Sequence, residues 1–297
     1  MLPLSFPYAL LGVDIVAPRR PELFTAFATH PCDRADYSAL IGGRKLTTVF
    51  HLAGAASVPQ SVENPVGDFV SLLPGTVTLL AHLGKFQKDA HLILFSSAAV
   101  YGNPKQLPIT EADELSPISP YGIHKATAEF AIAHYARLFG FRASLLRIFS
   151  AYGEGLRKQV VWDLCQRAMT ALREGRREIT LHGTGNETRD FVHVADVAQA
   201  GLLAAKNPPT AGTQILNVAS GVETTIRSLA EGVRDNLGGD LQLAFNGVTR
   251  AGDPVNWRAD VSRLQALGFN TTVPFADGIA RCVRWQKNLA AENSIIS

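Results

Sequence analysis

Residues 92–102, LILFSSAAVYG, and residues 119–129, SPYGIHKATAE, decide how the rest of the chain is read. Leu92-Ile93-Leu94-Phe95 is a short apolar run that stops at two serines, the pattern of a buried parallel strand carrying hydroxyls to its carboxyl end. Ligands of open α/β sheets bind at that end. After a loop rich in proline, Ser119 supplies an N-cap and Pro120 a first-turn residue, which predicts a helix from there through the alanine-rich stretch to about Phe139. Tyr121 and Lys125, four residues apart, then share one face of it.

That spacing carries chemistry. A phenol is a poor base near neutral pH unless its anion is stabilised. A lysine ammonium a few ångströms away does this, and the expectation is a Tyr121 pKa brought down toward the working range. The Ser97 hydroxyl could hydrogen-bond the same substrate oxygen and orient it while a hydride leaves the carbon. Tyr-x-x-x-Lys pairs are common on helices, so the surrounding sequence carries the assignment.

FSSAAVYG, the proline-flanked loop with Thr110-Glu111, and PYGIHK together resemble the extended short-chain dehydrogenase/reductase family, in particular its nucleotide-sugar epimerases and dehydratases. The resemblance implies that Ser97 is the catalytic serine, Tyr121 the acid/base and Lys125 its partner, which would also hold the nicotinamide ribose. His124 stands where the family usually has serine. Residues 51–54, HLAG, match the family's segment beside the cofactor, placing Leu52, Ala53 and Gly54 there, and Asp33 matches the acid that meets the adenine; a turn or N-cap role for Asp33 carries equal weight from the residues alone. The loop of residues 55–65, with Ser57, is similar to the one that lines nicotinamide and hexose. Gly75-Thr76 matches the helix after it, with Leu72 where asparagine is usual.

Further along, residues 142–152, RASLLRIFSAY, read as another buried strand, and Ser150 stands where the family places an asparagine near the nucleotide diphosphate. Residues 183–197 resemble the family's arginine segment, in which Arg189 would clamp the diphosphate at two points. Without the family match, a surface ion pair to Asp190 or Asp196 would be preferred for Arg189. His193 reads as a structural histidine between lobes. Arg250, in an Arg-x-Gly-Asp element, would be a second phosphate or base contact.

With 297 residues, 46% of them hydrophobic, the chain can bury a large core. A net charge of +2 with no basic run points away from nucleic acid and from anionic membrane surfaces. Cys32, Cys165 and Cys282, odd in number and widely spaced, fit reduced thiols of a cytoplasmic protein and neither a disulfide framework nor a metal site. No apolar run approaches membrane-spanning length.

Strand signals at Val13–Val16, Thr48–Gly54, Leu92–Phe95 and Arg142–Tyr152 alternate with helical stretches. The expected fold is therefore α/β, a Rossmann-like doubly wound parallel sheet with a smaller α/β substrate-binding lobe. Residues 1–155, with 188–222 returning, would form the dinucleotide-binding part, and 156–297 mainly the substrate lobe. A dinucleotide fold begins with a strand, a glycine-rich turn and a helix whose N-terminus holds the pyrophosphate. Gly12, Gly42-Gly43 and Gly54 do not make that spacing, so about one strand–turn–helix unit is missing at the front. Losing a central strand would leave two open edges. Three readings follow: a start that lies upstream, residues 1–11 rebuilding part of the gap, or a folded relative that binds sugar nucleotides without cofactor.

The cofactor implied by the resemblance is NAD. Arg19-Arg20 at the end of the first strand could accept a ribose 2′-phosphate, which leaves NADP open, although a solvated basic turn is the simpler reading. The substrate implied is a nucleotide sugar, and the assembly a homodimer paired through helices at 66–87 and 120–139. Ala98-Ala99 narrows the reaction, because the family's dehydratases carry Asp-Glu there and its decarboxylases a Glu. Without an acid to drive elimination, oxidation at C4 and return of hydride to the other face remain: a 4-epimerase, with a 4-reductase using the same three residues.

Overall fold

A computed structural model describes residues 8–54, 57–248 and 255–296. Strands β1 (Leu11–Asp14) and β2 (Ala26–Thr29) form a parallel pair of their own, followed by the short helix α1 (Tyr37–Ile41). Next come β3 (Thr48–His51), α2 (Val58–Glu63), α3 (Pro65–Phe86), β4 (His91–Ser97), α4 (Pro120–Phe139) and β5 (Arg142–Ile148). The chain continues through β6 (Ser150–Tyr152), α5 (Gln159–Arg173), β7 (Glu178–Leu181), β8 (Thr188–His193), α6 (Val194–Lys206) and β9 (Thr213–Val218). It ends with β10 (Glu223–Thr225), α7 (Ile226–Leu237), β11 (Gln242–Phe245), α8 (Ser262–Gln265) and α9 (Phe275–Ile296).

The main sheet is parallel, in the order β3-β4-β5-β9, with Leu92 opposite Ala143 and Leu94 opposite Leu145. Because side chains alternate along a strand, Leu92 and Leu94 pack with Leu80 and Leu83 of α3 and Ile132 of α4, while Ile93 packs on the other face with Ala200 and Ala204 of α6. Each such leucine or isoleucine, buried from water, contributes about 1.5–3 kcal/mol. Helices on both faces of a parallel sheet are the doubly wound arrangement expected.

Beyond Phe149 the chain leaves this sheet. β6 joins β8 and β10 in a three-stranded sheet, β7 pairs with β11, and a second apolar cluster gathers Leu164 of α5, Phe191 of β8, Val233 of α7 and Val283 of α9. Phe149 is thus the point at which one run of sequence serves two sheets.

Local signals explain the ends of α4. The Ser119 hydroxyl accepts from Gly122 N at 3.2 Å, Pro120 occupies the first turn, and Gly140 at φ +82° closes the helix, so the predicted span to Phe139 is the observed one. The first strand differs from the expectation of Val13–Val16. It stops at Asp14, whose carboxylate accepts from Val16 N at 3.1 Å, and this turn puts Ile15 and Val16 outside the ladder. One correction concerns α3: with a mean hydropathy of 1.4 it is long and apolar enough to cross a membrane. Its buried Leu72, Leu73, Leu79, Leu80 and Leu83 pack on β4 and α4, which makes it a core helix.

Among the described residues, β1 pairs only with β2 and β3 only with β4, so the sheet is split between β1 and β3. Phe50 and Leu52 are exposed on the β3 side, as are Ile15 and Val16 after β1. Among the described residues, these side chains flank the strand edges that have no β partner.

Candidate active site

β4 ends in two serines that the strand's alternation sends opposite ways. Ser96 points inward and donates to Glu129 Oε1 at 2.5 Å. Ser97 faces the open end, capping a 3-10 turn at Ala98–Val100 by accepting from Ala99 N at 3.2 Å. Gly122 lets α4 come this close, since a Cβ there would sit 2.5 Å from the Ala99 carbonyl oxygen. Tyr121 is thereby brought beside the Ser97 hydroxyl, and its own N–H donates to Ser61 Oγ of α2 at 3.1 Å. One helical turn on, the buried Lys125 ammonium lies 5.9 Å from the centre of the Tyr121 ring and donates to the Phe95 carbonyl at 3.1 Å.

The protein's own groups do not by themselves lower the Tyr121 phenol. Burial pushes its phenol above the usual value, the Ser97 hydrogen bond pulls it back, the Asp68 carboxylate pushes it up again, and the net direction is upward. Lys125 moves the other way, down to about 8: burial dominates, Asp68 and Glu129 oppose it, and Lys158 adds to it. Its ammonium is taken up by a backbone carbonyl. His51, at the end of β3, is brought down to about 4 by burial and by Lys125, so it is neutral at pH 7, and its Nε2 lies 2.8 Å from Thr76 Oγ1.

A buried network supports this floor. Arg147 of β5 donates to both Glu129 oxygens, Nη2 to Oε2 at 2.8 Å, and to the Tyr101 hydroxyl at 2.9 Å. Tyr101 in turn donates to Asn217 of β9 at 2.7 Å. Glu129, Asp68 and Ser61 were not singled out from the sequence. Glu129 had a signal, since it stands four residues after Lys125 on the same helix face. Asp68 and Ser61 had none, because they reach α4 only through helix packing.

On the cofactor side, Leu52, Ala53 and Gly54 follow β3 at the same end of the sheet, next to β4. Gly54 has φ +118°, and a Cβ there would be 3.1 Å from Leu72, the residue standing at the family's asparagine position. Asp33 lies exposed in a turn after β2, with Arg34 Nε 3.9 Å from its carboxylate. That turn rests on α3 at Gly75, where a Cβ would be 2.7 Å from Cys32 Cβ. The small residues at the end of β3 and the buried Lys125 beside Tyr121 fit the nicotinamide ribose end of a dinucleotide. For its pyrophosphate, the described residues before β3 hold no glycine-rich turn leading into a helix.

Of the residues expected to meet substrate, Ser57 caps α2, accepting from Gln60 N at 3.4 Å, and Ser150 opens β6 opposite Phe191. Arg189 of β8 lies over the Trp257 ring at 5.8 Å and donates to the Thr188 and Val255 carbonyls at 2.8 and 3.2 Å. Asp190 accepts from Ser220 N and Oγ, Gly221 N and Ala259 N, and Asp196 from Thr272. His193 has the structural role read from the sequence: its Nε2 donates to Glu154 at 2.9 Å, and Glu154 also binds Arg281 of α9 at 2.7 Å. Arg250 lies outside the described residues.

A doubly wound sheet with a serine, a tyrosine and a lysine gathered at the carboxyl end of its central strand defines a short-chain dehydrogenase type of site. Comparison with known proteins agrees: the profile of the NAD-dependent epimerase/dehydratase family matches residues 12–219. The UDP-glucose 4-epimerase of Mycolicibacterium smegmatis is 32% identical over 257 residues, 86% of this chain and 80% of that protein. Among solved structures, UDP-glucose 4-epimerase from Thermotoga maritima with UDP-glucose superposes with a TM-score of 0.82 at 26% identity, covering 95% of this chain and 92% of that one. MoeE5 in complex with UDP-glucuronic acid and NAD does so at 0.82 and 25%, covering 95% and 91%. The chain therefore belongs to the NAD-dependent epimerase/dehydratase family, and it is an enzyme with NAD as its cofactor.

Proposed function

We propose that this enzyme is a nucleotide-sugar 4-epimerase, acting on a UDP-hexose. The observation that carries the reading is the pair of buried alanines, Ala98 and Ala99, directly after Ser97 and beside Tyr121 and Lys125. No carboxyl group stands there to drive elimination or decarboxylation, whereas the phenol and hydroxyl needed to handle a proton on a sugar oxygen are present. NAD, when bound, supplies the hydride acceptor. Tyr121 takes the proton of the C4 hydroxyl and returns it, Ser97 hydrogen-bonds the same oxygen, and Lys125 holds positive charge below the phenol. Ser57, Ser150 and Arg189 face the nucleotide and hexose, with Arg189 on the diphosphate, so that the sugar can turn while the nucleotide stays anchored. The relatives named for UDP-glucose 4-epimerase activity support the substrate class.

The test is Tyr121→Phe with UDP-glucose and UDP-galactose. Interconversion should fall by at least ~10²-fold, with sugar-nucleotide affinity nearly unchanged. Retained turnover would overturn the assignment.

The assembly we propose is a homodimer. α3 exposes Val66, Phe69 and Val70, and α4 exposes Ile123, Phe130 and Leu138, so two neighbouring helices present apolar side chains to water that a second copy of the same face would cover.

A further inference from the structure

The first turn of α4, which carries Tyr121, is fastened to the α2–α3 corner at two points. Tyr121 N donates to Ser61 Oγ at 3.1 Å, and Ser61, fully buried, donates onward to the Val58 carbonyl at 2.7 Å. His124 Nδ1 donates to Asp68 Oδ2 of α3 at 2.6 Å, with only 13% and 5% of the two side chains exposed and the Phe69 ring set edge-on against the imidazole at 5.5 Å. Asp68 acts on both members of the site, opposing a negative charge on Tyr121 and favouring a positive one on Lys125.

The other charged or titratable groups around the pair are accounted for. Glu129, on the same helix, is bound by Arg147 of β5; Lys158 precedes α5 and lowers Lys125; His51 of β3 is neutral at pH 7. Asp68 is thus the carboxylate whose influence on the site depends on a histidine, and that histidine is the residue directly before Lys125.

We propose that Asp68 and His124 are a positioning couple for Tyr121 and Lys125: the imidazole covers the carboxylate facing them and pins the first turn of α4 on α3. Neither residue touches substrate. The inference rests on the reading of Tyr121 and Lys125 as the working pair. Hydrogen-bonded by the imidazole N–H, Asp68 has a weakened field at Lys125 and Tyr121. Left alone, it holds the ammonium on Lys125 more strongly and resists a phenolate. Removing one partner should therefore push the site in the direction opposite to removing the other, which a role in helix packing alone would not produce.

The experiment follows the Lys125 side-chain resonance by NMR in protein carrying ¹³C-lysine, assigned by its loss in Lys125→Met and titrated from pH 6 to 10. Asp68→Asn should lower the Lys125 midpoint and His124→Leu, which removes the donor, should raise it, each by about half a unit, a roughly threefold change in the charged fraction at fixed pH. The double variant should match Asp68→Asn, since the imidazole acts through the carboxylate. His124→Asn, which keeps an N–H donor toward Asp68, should bring the midpoint back toward that of the unsubstituted protein and recover most of any lost thermal stability, tying both effects to the hydrogen bond. Asp68→Asn and His124→Leu midpoints that move in the same direction, or that both stay within about 0.2 units of the unsubstituted protein, overturn the couple. The titration needs no turnover. A Tyr121→Phe enzyme that still epimerises therefore rejects the catalytic reading, whereas the titration by itself decides the couple.

Discussion

Replacing Glu129 with glutamine removes one charge from a pair sealed inside the sheet–helix interface. Both partners are 4% exposed as side chains. Arg147 would keep its contacts to the Tyr101 hydroxyl and the Glu111 carbonyl, and the amide oxygen could still accept from Ser96. It would lose the paired Nε and Nη2 bonds to a carboxylate and be left as a buried cation. Deleting one member of a buried pair costs about 3–5 kcal/mol, and the contacts that survive place Glu129→Gln near ~3 kcal/mol. Spread over a chain of this size, that is a fall of roughly 6–12 °C in melting temperature.

The assay is urea unfolding followed by far-UV circular dichroism, with a thermal melt beside it. The companion variant Glu129→Gln/Arg147→Met takes away both charges and leaves an apolar chain of similar length among buried neighbours. It should regain most of the loss, since a buried pair is weakly stabilising relative to well-packed apolar residues. A single variant within ~1 kcal/mol of the parent, or a double variant less stable than the single one, would refute the view of Glu129 as the counter-charge that Arg147 requires.

Lys125→Met tests the buried ammonium by its pH dependence. The folded pKa near 8 lies below the ordinary 10.5, so between these values the unfolded chain binds more protons than the folded one, and the stability of the parent protein rises with pH. Lys125→Met should therefore be more stable at pH 7, by an order of 3 kcal/mol, and lose that advantage between pH 8 and 10.5; a constant difference across this window contradicts the assignment. Phe130→Glu places a charge at the middle of the exposed α4 face. In sedimentation, the parent should run as two 32.0 kDa chains and the variant as one, and a parent that stays monomeric at micromolar concentration rules the dimer out. Denaturing the purified protein should release close to one NAD per chain; none after incubation with excess NAD would mean that the nicotinamide end of the site does not suffice to hold the cofactor.

How much could be read in advance varies from element to element. α4 was legible at both ends because caps act within a few residues: Ser119 and Pro120 start it, Gly140 stops it, and Tyr121 and Lys125 follow on one face from the helical period. The same short range explains the miss in β1, where Val16 looked like strand but Asp14 folds its carboxylate onto Val16 N. α3 shows the limit of composition. Its apolar length would suit a bilayer or a core, and only the strand and helix packed on it decide for the core.

The sequence by itself determined the class of fold, the gathering of Ser97, Tyr121 and Lys125 at the carboxyl end of one strand, and the absence of a carboxyl group at Ala98-Ala99. These are properties of residue type and of spacing over a few positions. Only the tertiary structure decided the electrical state of the site. Burial holds the phenol up and the ammonium down, and the countercharges arrive from elsewhere: Asp68 meets His124 across 56 residues of chain, and Glu129 meets Arg147 across 18. Desolvation depends on everything packed around a group, and a buried pair depends on two elements meeting, so neither can be read from positions a few residues apart.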